Sequence, residues 1–457
     1  MTRKRPYKLP EPLLCDVDKE ITMELVTKYI SQHEERFPRY EYFENLYKGF
    51  HDIFRLPEKE SWKPDNRLAV NFPKYITDVF IGYAYGIAIK REFPEVAAEA
   101  FAEFDDINSM DEHDFELAKK VCIYGHAIEY FYQDEEAKTR VSDLSPKEAF
   151  IVYENTLRKA GYFSVRYGYK DDKTTRYGEI HTREEIISFV GDEITERKPN
   201  PYGKLPVVEY VMNNERMGIY EGVAGLVESF NKGVGEKAND VEAFAEAYLA
   251  VLGAEVDDKG VHRIRDSRLI NIYGTDNAKD VLVQFLSKPT ADETQENHLD
   301  RLERLIHKIS MVLDMNSEDF GGATGAALDR RLQPMANLAK TFDEKLKKSM
   351  SKRYKLFCTL STNCPNKDAW KEIKYTPTRN VPRNLIEEAQ TAQALEGTVS
   401  KETQLSVLSI VDSPKEEIER IDKENKKAEQ TLVDRMTFGV AGNAAENNAE
   451  GVTNDKS

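Results

Sequence analysis

Apolar positions along this chain recur in two rhythms. Over residues 20–56, Tyr40, Phe43, Leu46 and Tyr47 follow one another at helical spacings, and the stretch predicts two amphipathic helices. Residues 66–72, after Pro64, lead into an aromatic-rich helix over 75–86 that stops at Gly86. From Val121 to Val211 the period shortens. Ile123, Ile128, Tyr130 and Tyr132, then the runs 150–153, 163–167 and 186–190, alternate or stay apolar between charged turns. They predict an antiparallel sheet that closes at 201–210.

The helical rhythm then returns at greater length. Val223, Val227, Phe230, Val234, Ala238, Val241, Ala245, Tyr248 and Leu252 predict one helix over 222–252, roughly 45 Å long, with a kink near Gly233 and Gly235. Leu299, Leu302, Ile306, Ile309 and Leu313 predict a second over 292–313 with the narrow stripe of a bundle seam. Residues 253–290 between them switch to short strands, clearest at 262–271 and 281–286. Such a β-rich knob at the tip of a helical hairpin buries little alone and suits packing against copies of itself. A polar loop over 314–325 precedes a third long helix, 326–356, which Pro334 should kink. After a break at 377–384 a compact helical appendage follows, and the Ala-, Asn- and Gly-rich tail from 431 predicts disorder. The fold class is α+β.

Charge adds a constraint. The 457 residues carry 65 Lys and Arg against 81 Asp and Glu, a net charge of −16. A surface this acidic does not bind nucleic acid by a uniform basic field, so any contact with DNA is local, transient or repulsive. The two hairpin helices carry acid on their other faces: Glu228, Glu236, Asp240, Glu242 and Glu246, then Asp292, Glu293, Glu296, Asp300 and Glu303. Taken alone, these read as solvated faces. The far half of the third helix is basic, with Lys345, Lys347, Lys348, Lys352, Arg353 and Lys355, which is a solvated face or a DNA contact. No apolar run approaches a membrane span, and no signal-peptide core follows the basic first residues. Cys15, Cys122, Cys358 and Cys364 lack CxxC spacing and read as unpaired structural thiols of a reducing compartment.

The search for enzyme chemistry returns mostly negatives. GxxxxGK[ST], GxSxG and HExxH are absent. The run 321–325 lacks the lysine of a phosphate cradle and reads as a loop-to-helix joint. Asp105, Asp106, Asp111, Glu112 and Asp114 resemble a calcium loop only in charge and read as a solvated helix start. His113, His126, His181, His262, His298 and His307 are scattered, so a metal site would need distant elements to converge.

Eight ordered motifs carry a family likeness over residues 35–430. Tyr47-Lys48-Gly49 with His51 and Ile53, Asn66-Arg67 with Asn71, Gly86, and Tyr124-Gly125-His126-Ala127 with Glu129-Tyr130 open it. Tyr202-Gly203-Lys204-Leu205-Pro206 with Asn213-Asn214-Glu215-Arg216, Asn239-Asp240, Glu296-Asn297-His298, and the run from Phe320 to Leu328 continue it in order. In these motifs the chain resembles the portal proteins of long-tailed bacteriophages, in the branch typical of phages of Gram-positive bacteria. The segment before 35 and the tail beyond 430 match nothing in that pattern, and 315–319 depart from it.

The resemblance implies a portal-type subunit with a mixed α/β wing, long stem helices, a small β-rich clip and an all-helical crown. Residues 1–212 would be the wing, 213–252 a stem helix, 253–290 the clip, 291–313 the second stem helix and 314–325 the tunnel loop. Residues 326–356 would be the long kinked helix, 357–382 the return to the wing, 383–430 the crown and 431–457 the disordered tail. It implies a ring of normally twelve copies at one capsid vertex, assembled in the host cytoplasm, through which double-stranded DNA enters and leaves. The partners implied are the large terminase, the head-completion adaptor, and the major capsid and scaffold proteins. Neither catalysis nor any cofactor or metal is implied. Carried across, Asn316, Ser317, Gly321, Gly322, Thr324 and Gly325 would face DNA. Glu236, Asp240, Glu242, Glu246, Glu293, Glu296 and Asp300 would line the channel and repel phosphates. Lys345, Lys348, Lys352 and Arg353 would touch DNA or capsid, and His262, Arg263, Arg265 and Arg268 would dock partners at the clip. Two rival expectations are a metal-dependent DNA-processing enzyme built on Asp105, Asp106, Asp111 and Glu112, and a capsid or scaffolding component without a pore.

Overall fold

The computed structural model describes residues 10–60, 63–245, 248–252, 282–286, 292–315, 325–381, 385–408, 410–411 and 413–427. The chain divides into two units, 1–317 with 331–380, and 318–330 with 381–457.

The first unit opens with β1 (Leu13–Cys15), α1 (Met23–Glu34) and α2 (Phe37–Tyr47). Thr22 caps α1 through the Leu25 N–H. An extended stretch through a 3₁₀ turn, Asp52–Arg55, leads to α3 (Phe72–Tyr85). Asn71 starts α3 by accepting the Lys74 N–H, Pro73 fits the first turn, and Gly86 ends it. Then come β2 (Lys90–Glu92), α4 (Ala98–Ile107) and α5 (Met110–Tyr124). Gly125 closes α5 at φ +87°, where a Cβ would stand 2.0 Å from the Arg216 carbonyl oxygen, so no other residue fits.

The region expected to form one antiparallel sheet forms two. β3 (His126–Gln133), β4 (Thr139–Leu144) and β10 (Val207–Val211) make a three-stranded sheet in the order β10-β3-β4. The segment expected to close the larger sheet thus belongs to the smaller one. β5 (Ala149–Glu154), β6 (Gly161–Tyr169), β7 (Arg176–His181), β8 (Glu185–Val190) and β9 (Glu193–Pro199) form a meander. β1 adds to it in parallel on β5, pairing Leu13 with Val152. Phe150, Val152, Phe163, Val165, Ile180, Ile187 and Phe189 bury one face of this sheet with Val26, Tyr29 and Ile30 of α1. The outer strand β9 is exposed throughout and charged, which blunts an open sheet edge.

The long helix expected over 222–252 ends earlier. α6 is Ala224–Ala245, and β11 (Tyr248–Leu252) follows, paired antiparallel with β12 (Leu282–Leu286). Tyr248-Leu249-Ala250-Val251-Leu252 is an unbroken apolar run, which periodicity alone assigns to helix or strand equally well. α6 runs through Gly233 and Gly235 without a break. A Cβ at Gly235 would lie 2.9 Å from the Asn66 carbonyl oxygen and 2.9 Å from Ile53, so this glycine serves close approach rather than a kink. α7 (Asp292–Ser310) packs along α6, and α8 (Gly325–Phe357) contains Pro334 within a continuous helix. Leu332, Met335, Ala339, Phe342, Leu346, Met350 and Tyr354 form the buried stripe of α8. β13 (Lys374–Thr376) pairs with β2. All four cysteines are buried and free.

In the second unit α9 (Leu385–Ala394) and α10 (Lys401–Leu405) are joined by the Gln404 amide donating to the Ala392 carbonyl at 2.8 Å. Residues 414–427 are helical. The expected disordered tail lies outside the described residues.

Candidate functional site

The helical hairpin of α6 and α7 is the natural place to look for function, because its acid faces were the least explained feature of the sequence. Leu299, Leu302 and Ile306 of α7 are buried, as are Val227 and Phe230 of α6, and Leu299 reaches the surface of Gly233. A different face of α6 holds the stretch 51–70. His51 Nδ1 meets Glu228 at 3.1 Å, and Glu228 also accepts the Asp52 N–H at 3.2 Å. Asn231 accepts the Val70 N–H at 2.8 Å and Asn239 the Asn66 N–H at 2.6 Å.

These contacts sort the acids expected to line a channel. Glu236 is paired with Lys59 at 3.1 Å, and Glu242 accepts the Asn66 amide at 2.5 Å. Asp240 accepts from Gln295 at 3.1 Å, and Glu296 pairs with Lys237. Glu293 and Asp300 are exposed and form no ion pair among the described residues. Glu246 lies outside them, as do Asn316, Ser317, Gly321, Gly322, Thr324 and the clip residues His262, Arg263, Arg265 and Arg268. Gly325 is the first residue of α8.

On α8 the expectation for Arg353 is corrected. It is fully buried, with Nε donating to Glu129 at 2.7 Å and Nη2 standing 2.6 Å from Asp114. Neither Nη atom makes a well-angled hydrogen bond, so Coulomb attraction holds the Asp114 side. Burial alone would raise the Glu129 carboxyl, but the Arg353 charge and the His113 hydrogen bond bring it down to about 2. Arg353 is therefore a core cation, turned about 100° round the helix from its exposed neighbour Lys352. Lys345 donates to Asn214 at 2.6 Å, while Lys348 and Lys352 are exposed.

The acidic cluster is in part the expected solvated helix start, with Asp111 and Glu112 exposed in the first turn of α5 and Asp106 exposed before it, while Asp105 and Asp114 turn inward. Arg91 of β2 inserts among its carboxylates, at 2.8 Å from Asp105 and 2.7 Å from Asp114, and also pairs with Asp111. Arg91 thus competes with any metal ion for Asp105 and Asp111, two of the four carboxylates expected to hold magnesium. Burial, opposed by Arg91, raises the Asp105 carboxyl to about 6. A cleft of about 610 Å³ opens beside it, lined by Lys90, Asp106 and Glu112 among others.

One constellation escaped the sequence reading. Glu303, His307 and Asp314 bring one potential ligand atom each to within 4.8 Å of the others. Its only sequence trace is an i, i+4 carboxylate–histidine pair on a helix with a carboxylate seven residues on.

Comparison with known proteins decides what this hairpin belongs to. Residues 26–431 match the family model described as phage portal protein, SPP1 Gp6-like. The chain belongs to this portal protein family. It is 22% identical over 402 residues to the portal protein of Bacillus phage SPP1, covering 80% of this chain and 78% of that one. Among solved structures it resembles, at 12% identity and a TM-score of 0.39, a chain titled "neck of native GTA particle computed with C12 symmetry". That match covers 74% of this chain and 89% of the other.

Portal proteins are structural components of the virion rather than enzymes, and this portal protein spends its family motifs on fastening. His51, Asn66 and Asn239 tie α6 down, Asn71 caps α3, and Gly125 turns α5 into β3. His126 receives the Tyr40 side chain at 2.9 Å and meets Glu209 at 3.0 Å, and Arg216 grips Glu209 at 2.7 and 2.8 Å. Arg39, fully buried on α2, donates to Glu221 at 3.3 Å through Nε and to the carbonyls of Tyr124 and Arg216. No helix among the described residues is long and apolar enough to cross a membrane.

Proposed function

We propose that this portal protein forms a ring, normally of twelve copies, in which α6 and α7 are the stem around a central channel for double-stranded DNA. The sheet-bearing region to about 212 with 357–382 is the wing, 253–290 the clip, 314–325 the tunnel loop and 383–430 the crown. The carrying observation is the family match across 26–431 combined with a packed helical hairpin whose second helix exposes Glu293, Glu296 and Asp300. A duplex sliding through a pore must not adhere, and carboxylates facing it repel phosphates through a narrow aqueous gap. Glu293 and Asp300 are the strongest candidates for that lining, because Glu236, Asp240, Glu242 and Glu296 already meet partners within the chain. Lys345, Lys348 and Lys352 remain candidates for capsid or phosphate contact.

The ring would not hydrolyse nucleotide itself. The clip would dock the large terminase, which supplies ATP hydrolysis, and later the head-completion adaptor, while the rim meets capsid and scaffold proteins in the host cytoplasm. Solution mass and negative-stain imaging test the ring, with the protein purified alone and after co-expression with its capsid and scaffold proteins. Closed rings near twelve subunits with a hole of duplex width are expected. A stable dimer, a shell, or no ring under either condition would overturn the reading.

A further inference from the structure

We propose that Glu303, His307 and Asp314 form a divalent transition-metal site that staples the chain leaving α7 back onto that helix. Glu303 and His307 stand one turn apart on the same face of α7, and Asp314 returns to them after the helix ends. The reversal occurs at Met311, whose φ of 60° is the left-handed turn that brings 312–315 back alongside the helix.

Three observations make this more than a cluster of charges. First, the ligand atoms converge: all three lie within 4.8 Å of one another, against the separations of about 3.4 Å that ligands at about 2.1 Å from a tetrahedral ion require. Binding would draw the ligand atoms at most about 1.4 Å closer together. Second, the imidazole is oriented from outside the cluster. His307 Nδ1 lies 3.0 Å from the Val312 carbonyl oxygen, which can only accept, so the neutral ring holds its proton on Nδ1 and offers the lone pair on Nε2. A backbone carbonyl holding the distal N–H is the usual outer support of a metal-bound histidine. Third, the ring plane is clamped edge-to-face by Phe72 and Tyr75, each with its centroid 5.8 Å away. Tyr75 also fixes the third ligand's segment, its hydroxyl accepting the Met315 N–H at 2.8 Å and lying 3.5 Å from Asp314.

One imidazole with two carboxylates selects zinc or manganese over magnesium or calcium, whose shells are built from oxygen alone. All three side chains are half-buried, so solvent can supply the remaining positions. Asp314 is the first residue of 314–325, and on the ring reading above the ion would fix the start of the tunnel loop against the stem. That consequence rests on the proposed function, whereas the site itself needs only this chain.

The test uses the full-length protein, stripped with EDTA and dialysed. Titration with zinc ion by calorimetry is expected to show one equivalent per chain, with magnesium at the same concentration giving no saturable heat. Cobalt substitution is expected to give the visible bands of a nitrogen- and oxygen-ligated ion. His307→Gln and Asp314→Asn should each weaken zinc at least tenfold, since each removes a ligand. Unchanged circular dichroism and thermal midpoint in zinc-free buffer would show that the variants fold. His298→Gln, nine residues before His307 on α7 and exposed, should leave binding unchanged. Absence of saturable zinc binding, or binding that survives both ligand variants, overturns the site. Imaging of rings is independent of this outcome: rings without zinc binding sink the site alone, and zinc binding without rings sinks the ring alone.

Discussion

Arg353→Met probes the buried centre of the molecule. The substitution keeps most of the side-chain length and removes a cation that sits between Glu129, fully buried, and Asp114, 9% exposed. Removing one partner from a buried ion pair leaves uncompensated charge and costs about 3–5 kcal/mol. With a urea dependence of about 3 kcal/mol per molar, the unfolding midpoint should fall by about 1–2 M at pH 7. The loss should also depend on pH in a particular direction. In the wild type the Glu129 carboxyl is held at about 2, below its ordinary 4.5, and stays ionised at pH 4. In the variant burial acts unopposed by Arg353 and pushes that carboxyl upward, so at pH 4 it takes up a proton and part of the penalty disappears. The gap between wild type and variant should therefore narrow from pH 7 to pH 4. Adding Glu129→Gln to the variant should cost less than the sum of the two single changes, because the two groups share one interaction. Urea unfolding followed by circular dichroism at both pH values supplies all of these numbers. Equal midpoints at pH 7, or a gap of constant size, would refute the assignment of Arg353 to the core and return it to the surface role the sequence suggested.

Gly235→Ala should destabilise by about 1–3 kcal/mol, since its Cβ meets the Asn66 carbonyl oxygen and Ile53 at 2.9 Å. Gly225→Ala, in the same helix with nothing within 4 Å, should stabilise by about 0.5–1 kcal/mol, and thermal unfolding separates the two. Gly125→Ala should yield no soluble folded protein in an expression trial, because a left-handed φ and a carbonyl at 2.0 Å both exclude the methyl group. Acid should weaken the fold in two stages. His33 is buried neutral, with burial lowering it from 6.5 to about 3, so its contribution is complete above pH 6.5 and is lost as pH falls from there. Glu129 adds a further loss as pH falls from about 4.5 toward 2, and a His33→Gln variant should flatten only the upper stage of the midpoint-against-pH curve. Asn239→Leu removes the acceptor of the Asn66 N–H and should speed amide exchange at 63–70 by about tenfold, with the six-stranded sheet unaffected. Unchanged exchange in that stretch would show that the contact is unimportant.

Much of the fold was legible because its elements are long and strongly periodic. The stripe of α7 and the strands 150–153 and 163–167 each have one buried face, and one buried face is what a hydrophobic period records. Legibility failed where partners rather than periods decide. Tyr248–Leu252 is a strand because Leu282–Leu286 lies beside it, and no local feature of an all-apolar run announces that. Arg353 sits among lysines in sequence, and its neighbours in space, Asp114 and Glu129, lie more than two hundred residues away. Arg91 and the aspartates it gathers show the same blindness, since a row of acids looks solvated until the cation from another strand is seen. Of the expected site residues, the tunnel-loop and clip positions were named through family resemblance. The Glu303, His307 and Asp314 group was overlooked because its third member arrives only after a chain reversal.

The polar face of α6 explains why fragments of sequence so weak individually identify the family together. Glu228, Asn231, Gly235, Asn239 and Glu242 follow at spacings of three, four, four and three, which is a single helix face. Four of them accept hydrogen bonds from the stretch 51–70, three of those four from main-chain N–H groups, and the fifth is the glycine that lets the two backbones approach. An apolar contact would hold these segments together without fixing their register, because hydrophobic attraction has no direction. Hydrogen bonds to main-chain donors do fix it, and the donors are independent of the side chains on the opposing strand of sequence. In the proposed ring, where α6 would stand at one angle in every copy, the stem would need this kind of register. Asn239 fixes the register at the Asn66 main chain, and the Asn66 side chain adds to it through a different residue, donating to Glu242, so that both motif asparagines serve the one helix face.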